Sequence, residues 1–319
     1  MSHADVDTAD PPPATHVIAL DVGGTYIKGG TLGAGDTALK NAERWHTRAD
    51  RGAEAVLETV LACAAELLER CPDARAAGVV VPGIVDEDTG LAVLAANLGW
   101  RGVPLQDWLS EHLDLPVAFG HDVRAGGLAE ARAGAGRGCA DFLFVPVGTG
   151  IAAAAFSRGR PLTGGHGRAG ELGHVVVRPD GERCHCGGRG CLETVASAAA
   201  VARRYARATG WRGITARDVR HRADAGDTVA AEIWTEAVEA LADALATAVT
   251  LYDPERVVVG GGLARAGEAY LAPLRAALAR RLTFQTVPEL TGALLGDRAG
   301  CTGAALLAHD LLLRTEVPA

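Results

Sequence analysis

The sequence predicts an α/β protein built from two similar domains. Three observations predict it. Short apolar strands alternate with helical stretches, a strand, glycine turn, strand design occurs twice, and 319 residues exceed what one compact core ordinarily organises.

Residues 1–16 carry Pro11-Pro12-Pro13 and several acids, and read as a flexible tail lacking the basic, apolar profile of a signal segment. His16 to Leu20 is a short apolar strand running into Asp21-Val22-Gly23-Gly24-Thr25. Apolar positions resume through Ile27, the pattern of a hairpin. Further strands are predicted at Ala77 to Val81, Pro116 to Phe119 and Asp141 to Val147, with helices over Ala53 to Arg70 and Val103 to His112. The strand through Val147 ends in Gly148-Thr149-Gly150 before another small apolar strand, which repeats the hairpin design. Ile233, Ala237, Leu241, Leu245 and Val249 recur every four residues and mark one face of a long helix over 229–251, stopped by Asp253-Pro254. Val257 to Val259 then enters Gly260-Gly261-Gly262 as a strand, and Gly300 to Leu313 closes the chain as a helix. The domain boundary is placed near Glu130 to Arg137. Residues 17–131, joined by the closing helix 300–319, form the first domain, and 132–299 the second.

A hydrophobic fraction of 48% with 22% charged residues is that of a folded protein. The net charge of −8 comes without a long run of one sign, which argues against nucleic acid and anionic membrane surfaces as partners. No apolar run is long enough to span a bilayer, so a cytoplasmic protein acting on small molecules is expected. Cys184, Cys186 and Cys191 lie within eight residues, and in a reducing compartment such a trio favours metal over disulfides. Cys63, Cys71, Cys139 and Cys301 read as buried small hydrophobes.

Phosphate binding needs several backbone N–H groups converging on one point, and glycine permits both the angles and the close approach. Three strand-ending loops qualify: Gly23-Gly24-Thr25, Gly148-Thr149-Gly150 and Gly260-Gly261-Gly262. None is a G-x-x-x-x-G-K-[ST] loop or a G-x-G-x-x-G dinucleotide fingerprint. Asp21-Val22-Gly23-Gly24-Thr25-Tyr26-Ile27-Lys28 resembles the first phosphate loop of the actin, hexokinase and Hsp70 superfamily. The resemblance implies two ribonuclease H-like domains with a cleft between them. It places Asp21 near the Mg2+ of bound ATP, with Gly23, Gly24 and Thr25 on phosphate. Gly148-Thr149-Gly150 becomes the second phosphate loop, and Gly260-Gly261-Gly262 approaches adenosine. Ala152-Ala153-Ala154 stands where that pattern often has more glycines. Lys28 reads as an exposed strand lysine rather than a phosphate contact.

Soft thiolates completed by an imidazole make a closed tetrahedral zinc site, and His166, His174 and His185 are all near the cysteines in sequence. Glu171-Leu172-Gly173-His174 followed by Cys184-x-Cys186-Gly187-x-x-Gly190-Cys191-x-Glu193 resembles the signature of the ROK family of repressors, open reading frames and sugar kinases. That resemblance makes His174, Cys184, Cys186 and Cys191 the ligands of a structural Zn2+ on a zinc-bearing loop. With four protein ligands the metal has no open position for water.

Phosphorylating a hydroxyl calls for a carboxylate that takes its proton. Asp122 follows the Leu115 to Phe119 strand and precedes a helical stretch around Ala125 to Ala131, where an aspartate also suits a helix cap. The ROK resemblance makes Asp122 the catalytic base. It makes Asn97, His121, Glu171, His174 and Glu193 sugar contacts, His121 standing where the family commonly has asparagine. The implied activity is glucose phosphorylation by ATP in a homodimer or homotetramer. N-acetylmannosamine, fructose, mannose or allose are alternative acceptors, and polyphosphate an alternative donor. A non-catalytic sugar sensor is opposed by the intact Asp21 loop and Asp122. A repressor is opposed by the sixteen or so residues before the first strand, too few for a helix-turn-helix domain.

Overall fold

The computed structural model of the protein describes residues 15–36 and 38–316. The expected tail over 1–14 and the end of the expected closing helix, 317–319, lie outside the described residues. Strand β1 (His16–Val22) turns into β2 (Tyr26–Gly33) and β2 into β3 (Lys40–His46), an antiparallel meander. Helix α1 (Ala53–Arg70) leads to β4 (Ala74–Val81), parallel to β1. A small antiparallel sheet of β5 (Ile84–Asp86), β6 (Leu91–Ala95) and β7 (Trp100–Val103) precedes α2 (Leu105–Leu113) and β8 (Val117–His121), which lies parallel to β4. The helix expected from Val103 starts at Leu105, because Val103 still pairs with Ala92 and Pro104 sets the helix start.

The same strand plan occurs a second time. Helix α3 (Asp122–Ala133) leads into an antiparallel meander of β9 (Phe142–Pro146), β10 (Ala154–Ser157) and β11 (Arg160–Pro161). Helices α4 (Leu192–Ala196), α5 (Ala198–Thr209), α6 (Ala216–Asp224) and α7 (Thr228–Tyr252) follow, and then β12 (Arg256–Gly260), parallel to β9. After α8 (Gly261–Ala264) and α9 (Glu268–Ala279), β13 (Glu289–Gly292) pairs in parallel with β12. The orders β3-β2-β1-β4-β8 and β11-β10-β9-β12-β13 are one topology used twice. The long helix read from its four-residue spacing is α7, capped at its start by Asp227, which accepts the Ala230 N–H at 3.0 Å.

Side chains alternate across a strand, so each strand serves two layers. Ile18, Leu20 and Val22 pack with Val56, Val60 and Leu67 of α1 and Leu105 and Leu109 of α2, while Val17 and Ala19 face α10 (Ala299–Glu316). Asp21 is the next residue on the α10 side. In the second sheet Leu143, Val145, Val257 and Val259 pack against α7 and α9, while Phe142, Phe144, Phe156 and Val258 face α3. Helix α3 therefore has two partners. A Cβ on Gly303 of α10 would stand 2.0 Å from the Ala125 carbonyl oxygen, so the two helices cross in backbone contact. The opposite side of α3 sets Gly126 and Gly127 against Phe144 and Phe156.

Candidate active site

The first glycine loop is a braced turn. Gly23 N–H donates to the Tyr26 carbonyl (2.9 Å), and fully buried Thr47 donates its hydroxyl to the Gly23 carbonyl (2.6 Å) and its N–H to that of Thr25 (3.0 Å). Asn97 is exposed beside this loop, since a Cβ at Gly24 would stand 3.0 Å from its Cβ. Asp21 and Lys28 are partners across the β1–β2 ladder, with Nζ 3.4 Å from Oδ2. Lys28 also donates to the Asp297 carbonyl (3.2 Å) and is half-buried, where an exposed strand lysine was expected from sequence. Burial pushes the Asp21 carboxyl above its usual range, and the Lys28 ammonium opposes that shift.

The second and third loops are neighbours. Val147 N–H donates to the Gly260 carbonyl (2.9 Å), and the Val147 carbonyl accepts from Leu263 (3.2 Å). The second loop closes through Gly148 N–H to the Gly150 carbonyl (2.9 Å), and Thr149, Gly150, Gly261 and Gly262 are exposed.

Asp122 opens α3, but the cap of that helix is His121, whose Nδ1 accepts the Val123 N–H at 3.2 Å. The His121 ring is buried. Burial, with help from Arg124, pulls its pKa down to about 3, so the imidazole is neutral. An accepting Nδ1 leaves the proton on Nε2. Asp122 Oδ1 accepts the Val123 N–H (2.7 Å), yet its pKa is raised to about 7. Burial is the main cause. The negative charges of Asp21 and Glu171 add to it, and the Val123 N–H and Arg124 oppose it.

Arg124 and Glu87 were missed by sequence reasoning. Arg124 is 4% exposed, donates Nε to Glu87 Oε1 (3.0 Å) and Nη1 to the Gly167 carbonyl (3.3 Å), and Glu87 Oε1 also accepts the His121 N–H (2.9 Å). A buried guanidinium is thus fixed two residues from Asp122, with no motif in the chain to announce it.

His174 joins the two halves of the histidine and cysteine signature. Its Nδ1 is 3.6 Å from Cys184 Sγ, and its Nε2 is 3.9 Å from Glu171 Oε2. Ligand atoms of His174, Cys184, Cys186 and Cys191 all lie within 4.8 Å of one another, whereas His166 and His185 are outside the group. Three sulfurs and one nitrogen so placed suit zinc. The loop folds back because Gly190 adopts φ +73° and passes so close to Arg178 that a Cβ would stand 1.6 Å from its carbonyl oxygen. Glu193, two residues beyond Cys191, accepts the Ile151 N–H on Oε2 (3.0 Å), which ties it to the second glycine loop. Burial raises the pKa of Glu171, with His174 opposing and Glu193 adding to the rise. A second group, His16, Cys71 and Asp73, is held by a His16 to Asp73 contact of 2.7 Å and a Cys71 to Asp73 hydrogen bond of 3.3 Å.

The ROK family profile matches residues 17–311. A glucokinase from Thermotoga maritima is 35% identical over 316 residues, covering 93% of this chain and 98% of its own. The crystal structure of a ROK hexokinase from Thermus thermophilus superposes with TM-score 0.82 at 33% identity, over 94% of this chain and 100% of that one. A ROK family glucokinase from Streptomyces griseus, solved with glucose and AMPPNP, gives TM-score 0.82 at 31% identity, over 92% and 99%. With its fold, its loops and its histidine and cysteine signature in one chain, this protein belongs to the ROK family.

Proposed function

We propose that the protein phosphorylates glucose at the expense of ATP, with Asp122 as the general base. The observation that carries the proposal is the meeting of three carboxylates from different parts of the fold. Asp21 on β1 and Glu171 in the signature loop both lie close enough for their charges to act on Asp122 at the start of α3, whose pKa is raised to about 7. A carboxylate of that basicity takes a proton from a sugar hydroxyl better than an ordinary aspartate would. Backbone N–H groups of the three glycine loops would hold the nucleotide, with Asp21 toward its magnesium, which when bound spreads the charge of the transferring phosphoryl group. Asn97, Glu171, His174 and Glu193 would orient the sugar. The wall of three thiols and His174 would hold a structural zinc through Nδ1, which fixes the imidazole and leaves Nε2 toward Glu171 and the sugar. Residues 17–131 with the closing helix would move as one domain against 132–299, closing over the sugar and excluding water. The enzyme would work in the cytoplasm as a homodimer or homotetramer. Among the described residues no helix is long and apolar enough to cross a membrane.

A second reading, phosphorylation of another hexose, is favoured by one observation. His121, expected from sequence as a sugar contact in place of the family's usual asparagine, is buried with its Nδ1 turned to the Val123 N–H. A panel of glucose, N-acetylmannosamine, fructose, mannose and allose, each with ATP or polyphosphate, tests both readings by ADP release and product identity. Glucose with ATP is expected to give the highest kcat/KM. A preference of tenfold or more for another sugar would move the assignment to it, and no turnover with any would end the kinase reading.

A further inference from the structure

The chain passes between its two sheets twice, after α3 through residues 134–141 and before α10 through residues 293–298. Both crossings meet at one side chain. Glu130, in the last turn of α3, has no solvent exposure. Its Oε2 accepts the N–H groups of Ala135 (2.7 Å) and Leu294 (3.2 Å), and its Oε1 that of Leu295 (2.8 Å). Ala135 belongs to the first crossing, Leu294 and Leu295 to the second. A buried carboxylate is costly unless hydrogen-bonded, and three N–H donors supply what water would have given.

The first crossing is held from the other side as well. Arg256, at the start of β12, donates Nη1 to the carbonyls of Ala135 (2.7 Å) and Arg137 (3.3 Å). The main-chain carbonyl of Glu130 accepts from Gly134 (3.0 Å) and Gly136 (2.9 Å), so the chain leaves α3 along one fixed path. A negative charge at a helix C-terminus opposes the helix dipole, so stabilising α3 itself is a poor account of this residue. Asp122 stands at the opposite end of the same helix, eight residues or roughly 12 Å away. A relative rotation of the two sheets has to run through the two crossings and through α3, which touches both.

We infer that Glu130 is a positioning residue for catalysis: it pins the two crossings to α3 and makes that point the pivot of domain closure, so that closing the cleft carries Asp122 to the sugar in register. The catalytic part of this inference rests on the kinase reading; the pivot itself does not.

Glu130→Gln keeps the size of the side chain but turns an NH2 toward at least one of the three N–H groups. It is expected to lower kcat with glucose by about ten- to a hundredfold. It should also speed amide exchange at Ala135, Leu294 and Leu295, and diminish the fall in radius of gyration that glucose with Mg-AMPPNP produces in the wild type. Arg132→Ala is the comparison, because it removes the exposed two-pronged pair with Asp310 that joins α3 to α10 (2.7 Å for each contact). That variant is expected to lose thermal stability while keeping wild-type kcat and closure. The inference is overturned if Glu130→Gln keeps wild-type kcat and closure, or if Arg132→Ala loses both to the same degree. Should Glu130→Gln not fold, hydrogen exchange of the wild type decides. Ligand is expected to slow exchange at the three amides, and unchanged exchange there would overturn the pivot. If the wild type turned over no sugar, the kinase reading would fail, and the exchange arm with Mg-AMPPNP alone would still settle the pivot.

Discussion

Asp122 and the cysteine trio are the residues on which the account turns, and each has its own measurement. A base works only when ionised. With its pKa raised to about 7, Asp122 should give kcat/KM for glucose an acid limb near pH 7, falling about tenfold per pH unit below it. A limb near pH 4, where an unperturbed aspartate titrates, would contradict the burial and charge coupling described. At the proposed zinc site, Cys191→Ser is expected to abolish stoichiometric zinc by metal analysis and to lower the melting temperature by about 5 °C or more. Unchanged zinc would remove Cys191 from the ligand set. Asp21, the glycine loops and the cysteines were legible in the sequence because their chemistry is local: a strand ends, glycines follow, and thiols cluster. Arg124, Thr47 and Glu130 were not. Arg124 reaches Glu87 across 37 residues, Thr47 reaches Gly23 across 24, and Glu130 reaches Leu295 across 165. Such pairings exist only after the chain has folded.

The long helices α1 and α7 were legible from their buried faces, whereas α5, α6 and α9 also bury a face and were not expected from sequence. Helix α1 matches its expected span of Ala53 to Arg70, and α7 extends the expected 229–251 by one residue at each end. Strand β3 escaped because Lys40–His46 has almost no buried side and so no apolar alternation, and β5 to β7 escaped because each is too short to show a period. The contact of α3 with α10 was invisible for another reason: it depends on absent side chains. Gly303→Ala would force a Cβ into the Ala125 carbonyl. The cost is expected to be about 2–3 kcal/mol by denaturant unfolding, with kcat reduced as well because α3 carries Asp122. Wild-type stability in that variant would mean that the two helices can part without loss.

At the scale of the molecule, the repeated strand plan was announced by two glycine turns of like design, at Gly23-Gly24-Thr25 and Gly148-Thr149-Gly150, and the sheets do share one topology. What the sequence did not announce is that α3 serves both sheets. That sharing explains why the proposed base sits where residues of both halves converge, with Asp21 on one side and Glu171 on the other. Membership in the ROK family narrows the chemistry, and Asp122 is the base proposed for it. The most direct test is a paired measurement on Asp122→Asn: glucose binding by calorimetry and glucose 6-phosphate formation with ATP. The role of Asp122 as base predicts binding close to that of the wild type and turnover lower by about 10²–10⁴-fold. Full turnover in that variant would contradict it.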